Sequence, residues 1–466
     1  MLNLYNSLSN KTEAFLPHDS TKVKIYVCGP TVYDYIHIGN ARAAVVYDIL
    51  YRILCGIYEQ DKVIYVRNLT DVDDKINQRA KEQNITIGEL TSSMIQNFNA
   101  DVAYLGCLKP TIEPKATEHI SDMIKIIEKL IDEKYAYVTK EKNVYFSVEK
   151  FTDYGQLANK NLDHLLDSVR IENLQDKIQS HDFALWKAKE DEDLESSLFD
   201  SPWGQGRPGW HIECVAMSNK HLGSNFDIHG GGIDLIFPHH TNEIAQAKCA
   251  FKDSQFAKYW VHNGTLTVNK QKMSKSLGNF ITVKEMRDKG ISGEVVRYFL
   301  ISANYHKPID YSTKNIEDAK LSIDYLYRTL SFSVEKIQLE PSNNYYSTLP
   351  TEFREALEDN MNTPQALAFI LKLAKEINKK HTSNKAIEKD LKLLKQCGNL
   401  LGLLTLSPEE YFYVENDEEV KKLIHKRLVA KEEKNWITAD EIRIQLTKIG
   451  IVVEDKPDGS CVWRKL

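Results

Sequence analysis

Near the start of the chain the apolar positions change rhythm twice. Val23-Lys24-Ile25-Tyr26-Val27 alternates as a strand does, and from Ala41 the spacing becomes Ala43, Ala44, Val45, Val46, Ile49, Leu50, Ile53 and Leu54, the beat of a buried helix. Val63-Ile64-Tyr65-Val66 reads as a second buried strand, followed by an acidic turn at Asp71, Asp73 and Asp74 and then a helix. Strand, helix, strand at this spacing predicts a right-handed βαβ unit, the opening half of a nucleotide-binding α/β domain over residues 1–112. Residues 113–205 differ: a helix over 116–133, alternating strands at 135–138 and 144–148 and a charged tract near 187–195 predict an insertion between two halves of a sheet.

Within 206–270 the sheet is expected to resume, first as a strand over 209–214 ending at Cys214, then as one from Phe226 that closes in a Gly230-Gly231-Gly232 turn. Pro238 suits the first turn of a helix, on which His239 and Glu243 share a face. Residues 271–315 lead out of this domain, with a helix over 293–302. Spacing such as Leu367, Ile370, Leu371, Leu373, Ala374 and Ile377 predicts an all-helical bundle over 316–406, with an interhelix loop at 342–350. Residues 407–419 carry six acidic side chains and no basic one, which reads as a linker into a last unit ending at 466.

A chain of 466 residues is too long for one core. With 42% hydrophobic and 27% charged residues it is an ordinary globular composition. No basic and apolar leader opens it, and its most apolar stretch, 43–58, is broken by Asp48 and Arg52, so neither export nor membrane insertion is expected. Seven scattered cysteines without a CxxC pair point to reduced thiols or dispersed metal ligands and so to the cytoplasm. The net charge of −6 excludes a uniformly basic protein, yet residues 421–466 hold eleven Lys or Arg against seven Asp or Glu. In that basic segment Trp436, Trp463 and Arg464 offer the stacking and hydrogen-bonding chemistry used on unpaired RNA bases.

The strand-to-helix junction at His37-Ile38-Gly39-Asn40 favours negative charge. Backbone N–H groups converge there, Gly39 permits close approach, and His37 and Asn40 add donors, so phosphate is the expected guest. Lys272-Met273-Ser274-Lys275-Ser276 is a polar loop able to close over polyphosphate from the other side. Gly230 and Gly232 would let an adenosine lie against backbone, with Asp234 accepting from a ribose hydroxyl. Cys28, Cys214, Glu243 and either His239 or His240 are competent zinc ligands, and the spacing leaves the choice of histidine open.

The two phosphate loops resemble the HIGH and KMSKS signatures of class I aminoacyl-tRNA synthetases. The segments 28–34, 207–214 and 229–243 resemble the blocks that set the cysteinyl-tRNA synthetase family apart within that class, and 436–450 with 454–459 resemble its anticodon-binding unit. The resemblance implies a Rossmann-type parallel-sheet catalytic domain with an insertion, a stem-contact region at 271–315, a tRNA-binding bundle and a small C-terminal anticodon-binding unit. It implies a monomer that activates L-cysteine with ATP and Mg²⁺, then transfers it to the terminal adenosine of tRNA(Cys). One Zn²⁺ would be held at Cys28, Cys214, His239 and Glu243 and would select the substrate thiolate against serine.

By the same resemblance His37, Asn40, Lys272 and Lys275 act on the triphosphate, Thr31 and Gly39 join the ATP site, and Gly29, Thr70 and Trp210 bind cysteine. Trp436, Asp440, Asp455 and Trp463 are the anticodon candidates, and Lys431 falls where the family has an arginine. Asn40 replaces the second histidine of the HIGH pattern, leaving an amide that donates to phosphate but never becomes cationic. The alternatives are a cysteine-adenylating ligase acting on a small amine, which would lack the C-terminal tail, and a non-catalytic zinc-containing RNA-binding protein, which would not need two phosphate loops.

Overall fold

The computed structural model describes residues 1–159, 176–274, 277–333, 337, 339, 345–412, 418–448, 451–455 and 461–465. The chain divides into two compact units, one of Met1–Lys320, Pro341–Ile370 and Leu400–Leu403, the other of Leu321–Glu340, Leu371–Asn399 and Leu404–Leu466.

The first unit opens with a hairpin of β1 (Asn3–Asn6) and β2 (Lys11–Ala14), then β3 (Val23–Val27), α1 (Ile38–Tyr58), β4 (Val63–Arg67), α2 (Asp74–Gln83) and α3 (Ile87–Tyr104). α4 (Ile120–Asp132), β5 (Ala136–Val138), β6 (Val144–Phe146), β7 (Phe183–Ala188) and β8 (Gly206–Pro208) make up the insertion, whose four strands form an antiparallel sheet in sequence order. α5 (Trp210–Leu222), β9 (Asn225–Gly232), α6 (Thr241–Ala250) and β10 (Phe256–Asn263) return the chain to the centre. There β10, β9, β3 and β4 lie side by side, all parallel, as a Rossmann-type sheet. Tyr26, Val66, Phe226 and Trp260 from these strands share one apolar core with Met123 and Ile127 of α4 and Trp186 of β7, so the insertion is packed as part of the domain.

Asp48 and Arg52, the two charges that interrupt the apolar run of α1, are accounted for by burial with partners. Asp48 accepts from Leu108 N at 2.7 Å, from Arg52 Nε at 2.8 Å and from the buried Arg297 guanidinium. A buried carboxylate satisfied on this scale is tolerated where an unpaired one is not.

Two expectations change and one holds. Residues 209–214 are not a strand: β8 ends at Pro208, and Cys214 lies in the second turn of α5. Buried Ile212, Val215, Ala216 and Leu222 keep helical spacing, a period that six residues were too few to display. His239 lies on the helical stretch expected from Pro238. Phe237 before it is extended at φ −140° and ψ 131°, as the residue before a proline prefers, and beyond that kink the helical turn through His239 and His240 runs on into α6, which carries Glu243. Gly230, Gly231 and Gly232 belong to β9 itself, paired with Val261, His262 and Asn263 of β10.

β11 (Leu266–Val268), β12 (Gln271–Lys272) and β13 (Ile309–Tyr311) form a small sheet beyond the centre, followed along the chain by α7 (Val283–Asp288) and α8 (Gly293–Leu300) between β12 and β13. Helices α9 (Thr313–Leu330), α10 (Thr351–Glu358), α11 (Thr363–Thr382) and α12 (Glu388–Leu400) occupy the stretch read as a bundle; 342–344 of its expected loop lie outside the described residues. The expected linker contains a short helix, α13 (Pro408–Phe412), and 413–417 lie outside the description. In the second unit α14 (Glu418–Glu432), α15 (Trp436–Lys448) and the hairpin of β14 (Ile451–Asp455) and β15 (Cys461–Lys465) enclose a core of Val420, Ile424, Ile442, Leu446, Ile451 and Val453.

Candidate functional site

Parallel strands deliver their C-terminal ends to one edge of the sheet, where ligands bind in open α/β folds. Cys28 follows β3 there, with its N–H bonded to Gly230 O of β9 at 3.1 Å. Its Sγ stands 3.7 Å from Cys214 Sγ, 3.5 Å from His239 Nε2 and 3.6 Å from Glu243 Oε1, and His239 Nε2 is 3.0 Å from Glu243 Oε1. A tetrahedral metal with bonds of about 2.3 Å to sulfur and 2.0–2.1 Å to nitrogen or oxygen has edges of about 3.8 Å between sulfurs and about 3.5 Å for the mixed pairs. The three edges from Cys28 match such a tetrahedron, and all four donors lie within 4.8 Å of one another. Cys214, His239 and Glu243 are buried and Cys28 is partly exposed, which opens the cluster on one side.

Cys28 and Glu243 also belong to a second donor set with His229 and His240. Here His240 Nε2 lies 3.3 Å from Cys28 Sγ but 3.9 Å from Glu243 Oε1, while its Nδ1 meets His262 Nε2 at 2.8 Å. His229 Nε2 bonds the other oxygen of Glu243 at 2.8 Å, and His211 Nδ1 meets His239 Nδ1 at 3.0 Å. The set with His239 keeps both thiols and the tighter edges, and the remaining histidines orient it from behind.

Burial disfavours charge throughout the cluster, and the neighbours decide which groups keep it. Against that burial His229 and His239 hold the Glu243 carboxyl down to about 2, and Glu243 with Cys214 lifts His239 to about 10. Burial pushes the Cys28 thiol well up, whereas the hydrogen bond from Cys28 overcomes it at Cys214, whose thiol falls to about 6. Burial, reinforced by the neighbouring histidines and only partly opposed by Glu243 at His211 and His262, keeps His211 and His240 far below their ordinary value and takes His262 to about 3.

The residues expected to hold cysteine border this cluster. Trp210, 40% exposed, stacks on His239 with ring centroids 4.3 Å apart. A Cβ on Gly29 would lie 1.6 Å from Asn68 O, so only glycine fits against that strand end. Asn68, which sequence reasoning passed over, accepts from Gly29 N at 2.8 Å, donates to Thr70 Oγ1 at 3.2 Å and lies 3.9 Å from Cys214 Sγ. A polar residue directly after β4 on the C-terminal edge was the available signal.

At the first phosphate loop His37 is the N-cap of α1. Its Nδ1 accepts from Gly39 N at 3.1 Å and Asn40 N at 3.2 Å, which assigns its proton to Nε2. Asn40 is exposed at the helix start. Thr31 bridges to Thr70, and Val32 N bonds Thr70 O at 3.0 Å, which ties this loop to the cysteine pocket. Ile38 N to Ile281 O at 3.0 Å and Val283 N to Ile36 O at 3.1 Å fasten the loop to the segment just beyond the second motif.

Lys272 ends β12 and is exposed; Lys275 and Ser276 lie outside the described residues. Asn279, also missed from sequence, staples this loop by accepting from Ser274 N at 2.8 Å and donating to Lys272 O at 3.2 Å. Arg42, fully buried two residues past Asn40, donates to Gly264 O at 2.9 Å, Thr265 O at 2.8 Å, Asn304 O at 3.1 Å and Lys307 O at 2.6 Å. It thereby holds the start of α1 to the strand that leads into Lys272. The glycines expected beneath adenosine have a packing reason of their own. A Cβ on Gly230 would lie 2.3 Å from the Tyr47 ring and one on Gly232 2.4 Å from Asp234 Oδ1, with Asp234 exposed in the turn after β9.

In the second unit Trp436 is 59% exposed at the start of α15, and Asp440 is exposed one turn on. Asp455 is engaged elsewhere: Arg427 grips both its oxygens at 2.8 and 2.9 Å, Lys431 joins at 3.0 Å, and the Arg427 hydrogen bond holds its carboxyl well below the usual range. Trp463 pairs through its backbone with Val453, and its side chain lies outside the described residues. Among the described residues no helix is long and apolar enough to cross a membrane.

Family models match along the chain: the tRNA synthetases class I (C) catalytic domain over residues 14–321, the DALR domain over 352–405 and the cysteinyl-tRNA ligase anticodon binding domain over 415–464. A cysteine–tRNA ligase of Rickettsia felis is 54% identical over 466 residues, covering 99% of this chain and 98% of its own. One of Rickettsia bellii is 53% identical over 467 residues, covering 99% of each. Among solved structures, methionyl-tRNA synthetase of Mycobacterium tuberculosis aligns with TM-score 0.56 at 13% identity over 82% of this chain and 90% of that one. A putative arginyl-tRNA synthetase of Campylobacter jejuni aligns with TM-score 0.54 at 14% identity, over 83% and 93%.

Proposed function

The chain belongs to the cysteine–tRNA ligase family of class I aminoacyl-tRNA synthetases, and from that premise we propose that it forms cysteinyl-adenylate and pyrophosphate from L-cysteine and ATP, then charges tRNA(Cys). The observation that carries the reading is the four-donor cluster at Cys28, Cys214, His239 and Glu243, open at Cys28 and bordered by Trp210. Two thiols, an imidazole and a carboxylate suit Zn²⁺, and these four residues would hold it. When bound, Zn²⁺ supplies a Lewis acid that prefers a thiolate to the harder serine hydroxyl. Shape alone rejects a near-isostere by only ~10², so selection by sulfur chemistry is the reason we expect no editing domain.

His37 is read as donating through Nε2–H to the triphosphate, and Asn40 through its amide. Lys272 and Lys275 are assigned to the leaving pyrophosphate from the other side, where protein positioning and charge neutralisation supply most of the catalysis. Thr31, Gly39, Gly230, Gly232 and Asp234 complete the proposed ATP site, and Gly29, Thr70 and Trp210 the cysteine pocket, with Mg²⁺ carried on the phosphates. Trp436 and Asp440, exposed on α15, remain the proposed anticodon readers, while the double grip on Asp455 favours a structural role for it. The proposed setting is a cytoplasmic monomer.

Charging tests the reading. A transcript with the GCA anticodon, one with a changed anticodon, and a reaction with serine would be run together. Charging confined to cysteine and the GCA transcript is expected. Pyrophosphate exchange without any charging would favour a small-amine ligase instead.

A further inference from the structure

Away from the four-donor cluster, two imidazoles face each other between α4 and α5. His119 closes the short turn Ala116–His119 that leads into α4 and is 7% exposed, and half-buried His221 lies in the last turn of α5. Their Nε2 atoms are 3.0 Å apart, with ring centroids at 5.1 Å and planes inclined by 65°. The far side of His119 is fixed as well, its Nδ1 lying 2.9 Å from Lys115 O. A carbonyl only accepts, so in the neutral ring Nδ1 carries the hydrogen and Nε2 presents its lone pair to His221.

A metal-binding imidazole is held in this way, its second nitrogen donating to a backbone carbonyl that sets the tautomer and the plane of the ring. Two bonds of about 2.0–2.1 Å place their nitrogens about 2.9 Å apart when they meet at a right angle and about 3.4 Å apart at the tetrahedral angle. The observed 3.0 Å is the right-angled spacing, that of neighbouring ligands in the tetragonal sites that Cu²⁺ and Ni²⁺ prefer. Two charges border the pair: Asp122, three residues beyond His119, and Lys220, whose Nζ is 3.6 Å from Asp122 Oδ1. Burial, then His119 and Lys220, hold His221 below its ordinary value against Asp122, which favours the neutral ring that a metal takes.

We propose that His119 and His221 form a second metal site, a two-imidazole clamp for Ni²⁺ or Cu²⁺ that is completed by water and staples α4 to α5. Met123 and Ile127 of α4 and Ile212 and Val215 of α5 share one core, so packing has already brought the rings together and little ordering is left for the metal to impose. His221 lies seven residues beyond Cys214 on α5, a rise of about 10 Å, so the clamp is separate from the four-donor cluster and does not depend on the cysteine-activating reading. The rival account is a plain N–H···N bond from His221 to His119, which 3.0 Å also permits and which the test must separate.

The zinc-loaded protein and its H119Q, H221Q and D122N variants would be titrated calorimetrically with Ni²⁺ in a buffer that does not bind metal, and zinc content measured before and after. Wild type should take up one Ni²⁺ with micromolar affinity and keep its zinc, and its Tm should rise with Ni²⁺ concentration, because only the folded chain brings the two rings together. H119Q and H221Q should each weaken the uptake about a hundredfold, since losing a ligand costs at least as much as losing the group that orients one. D122N should weaken it only a few fold, because Asp122 supplies a field and no bond. Affinity in H221Q within about threefold of wild type overturns the inference. Nickel taken up only as zinc leaves overturns it too, by placing the ion in the four-donor cluster. No micromolar uptake by wild type leaves the pair as a hydrogen bond and overturns it as well. If H119Q fails to fold, H221Q, changed at the more exposed ring, decides by the same criteria.

Discussion

A methyl group on Gly39 would stand 2.8 Å from His37 Nδ1 and 3.6 Å from Met273 Cε. The first distance is well inside contact, so in Gly39→Ala the imidazole must turn away from Gly39 N and Asn40 N, its partners at 3.1 and 3.2 Å. Losing that cap costs about 1 kcal/mol, but replacing glycine by alanine in a helix returns about 1 kcal/mol, so the net change in stability should lie near zero. Catalysis should not be spared. The same ring aims Nε2–H, and losing one preorganised donor to developing charge costs about 10²–10³ in rate. Cysteine-dependent pyrophosphate exchange, with thermal unfolding and zinc content measured in parallel, should therefore show a fall of about a hundredfold or more in a protein of near-normal stability. Exchange within about threefold of wild type would refute the role given to the ring, because the geometry leaves no way to keep it in place.

Cys214→Ser removes one tetrahedral donor, so zinc content should drop and the KM for cysteine in exchange rise about a hundredfold or more, with KM for ATP nearly unchanged; unaltered cysteine kinetics would remove the cluster from substrate selection. Asn40→His should keep or modestly raise the adenylation rate, since the exposed amide already acts only as a donor; a hundredfold loss would mean that this loop meets phosphate differently. Asp101, fully buried on α3 with Arg287 Nη1 3.2 Å away, has its carboxyl lifted by burial to about 6 from an ordinary 3.8, Arg287 opposing. Its folded form binds the proton more tightly, so its contribution is complete below pH 3.8 and is lost as pH rises through about 6, roughly 3 kcal/mol in all and about half of that between pH 5 and pH 8. Urea unfolding should show Asp101→Asn gaining about 1.5 kcal/mol on wild type across that interval, and a pH-independent difference would contradict the assignment.

The alternation in β3 and the helical beat of α1 were legible because each ran long enough to show its period. The segment 209–214 was not: its six residues fit either period, and only the apolar spacing on to Leu222 separates helix from strand. Motif resemblance found all four donors of the cluster, although the strand that spacing gave for one of them was wrong, Cys214 being helical. Asn68, Asn279 and Arg42 act through backbone carbonyls and amides, and contacts of that kind leave no residue pattern to read. Gly230 illustrates the converse: a glycine near a nucleotide site suggested a ligand, yet the Tyr47 ring alone requires it.

The two ends of the proposed reaction are built differently, and this bears on how variants should behave. At the cysteine end the groups are buried and bonded to one another: Glu243 to His229 and His239, and Asn68 to Gly29 and Thr70. Such a network is fixed before substrate arrives, so it can favour one amino acid at no cost in reorganisation. At the nucleotide end Asn40, Asp234 and Lys272 are exposed, and what positions them is backbone: the bonds from Ile36 and Ile38 to Val283 and Ile281, and Arg42 on four carbonyls. Exposed cations gain most of their interaction only when an anion excludes water from around them. Damage to the first network should therefore appear in cysteine affinity and metal content. Damage to the second should appear in the rate of adenylation and in its dependence on salt, with cysteine affinity preserved.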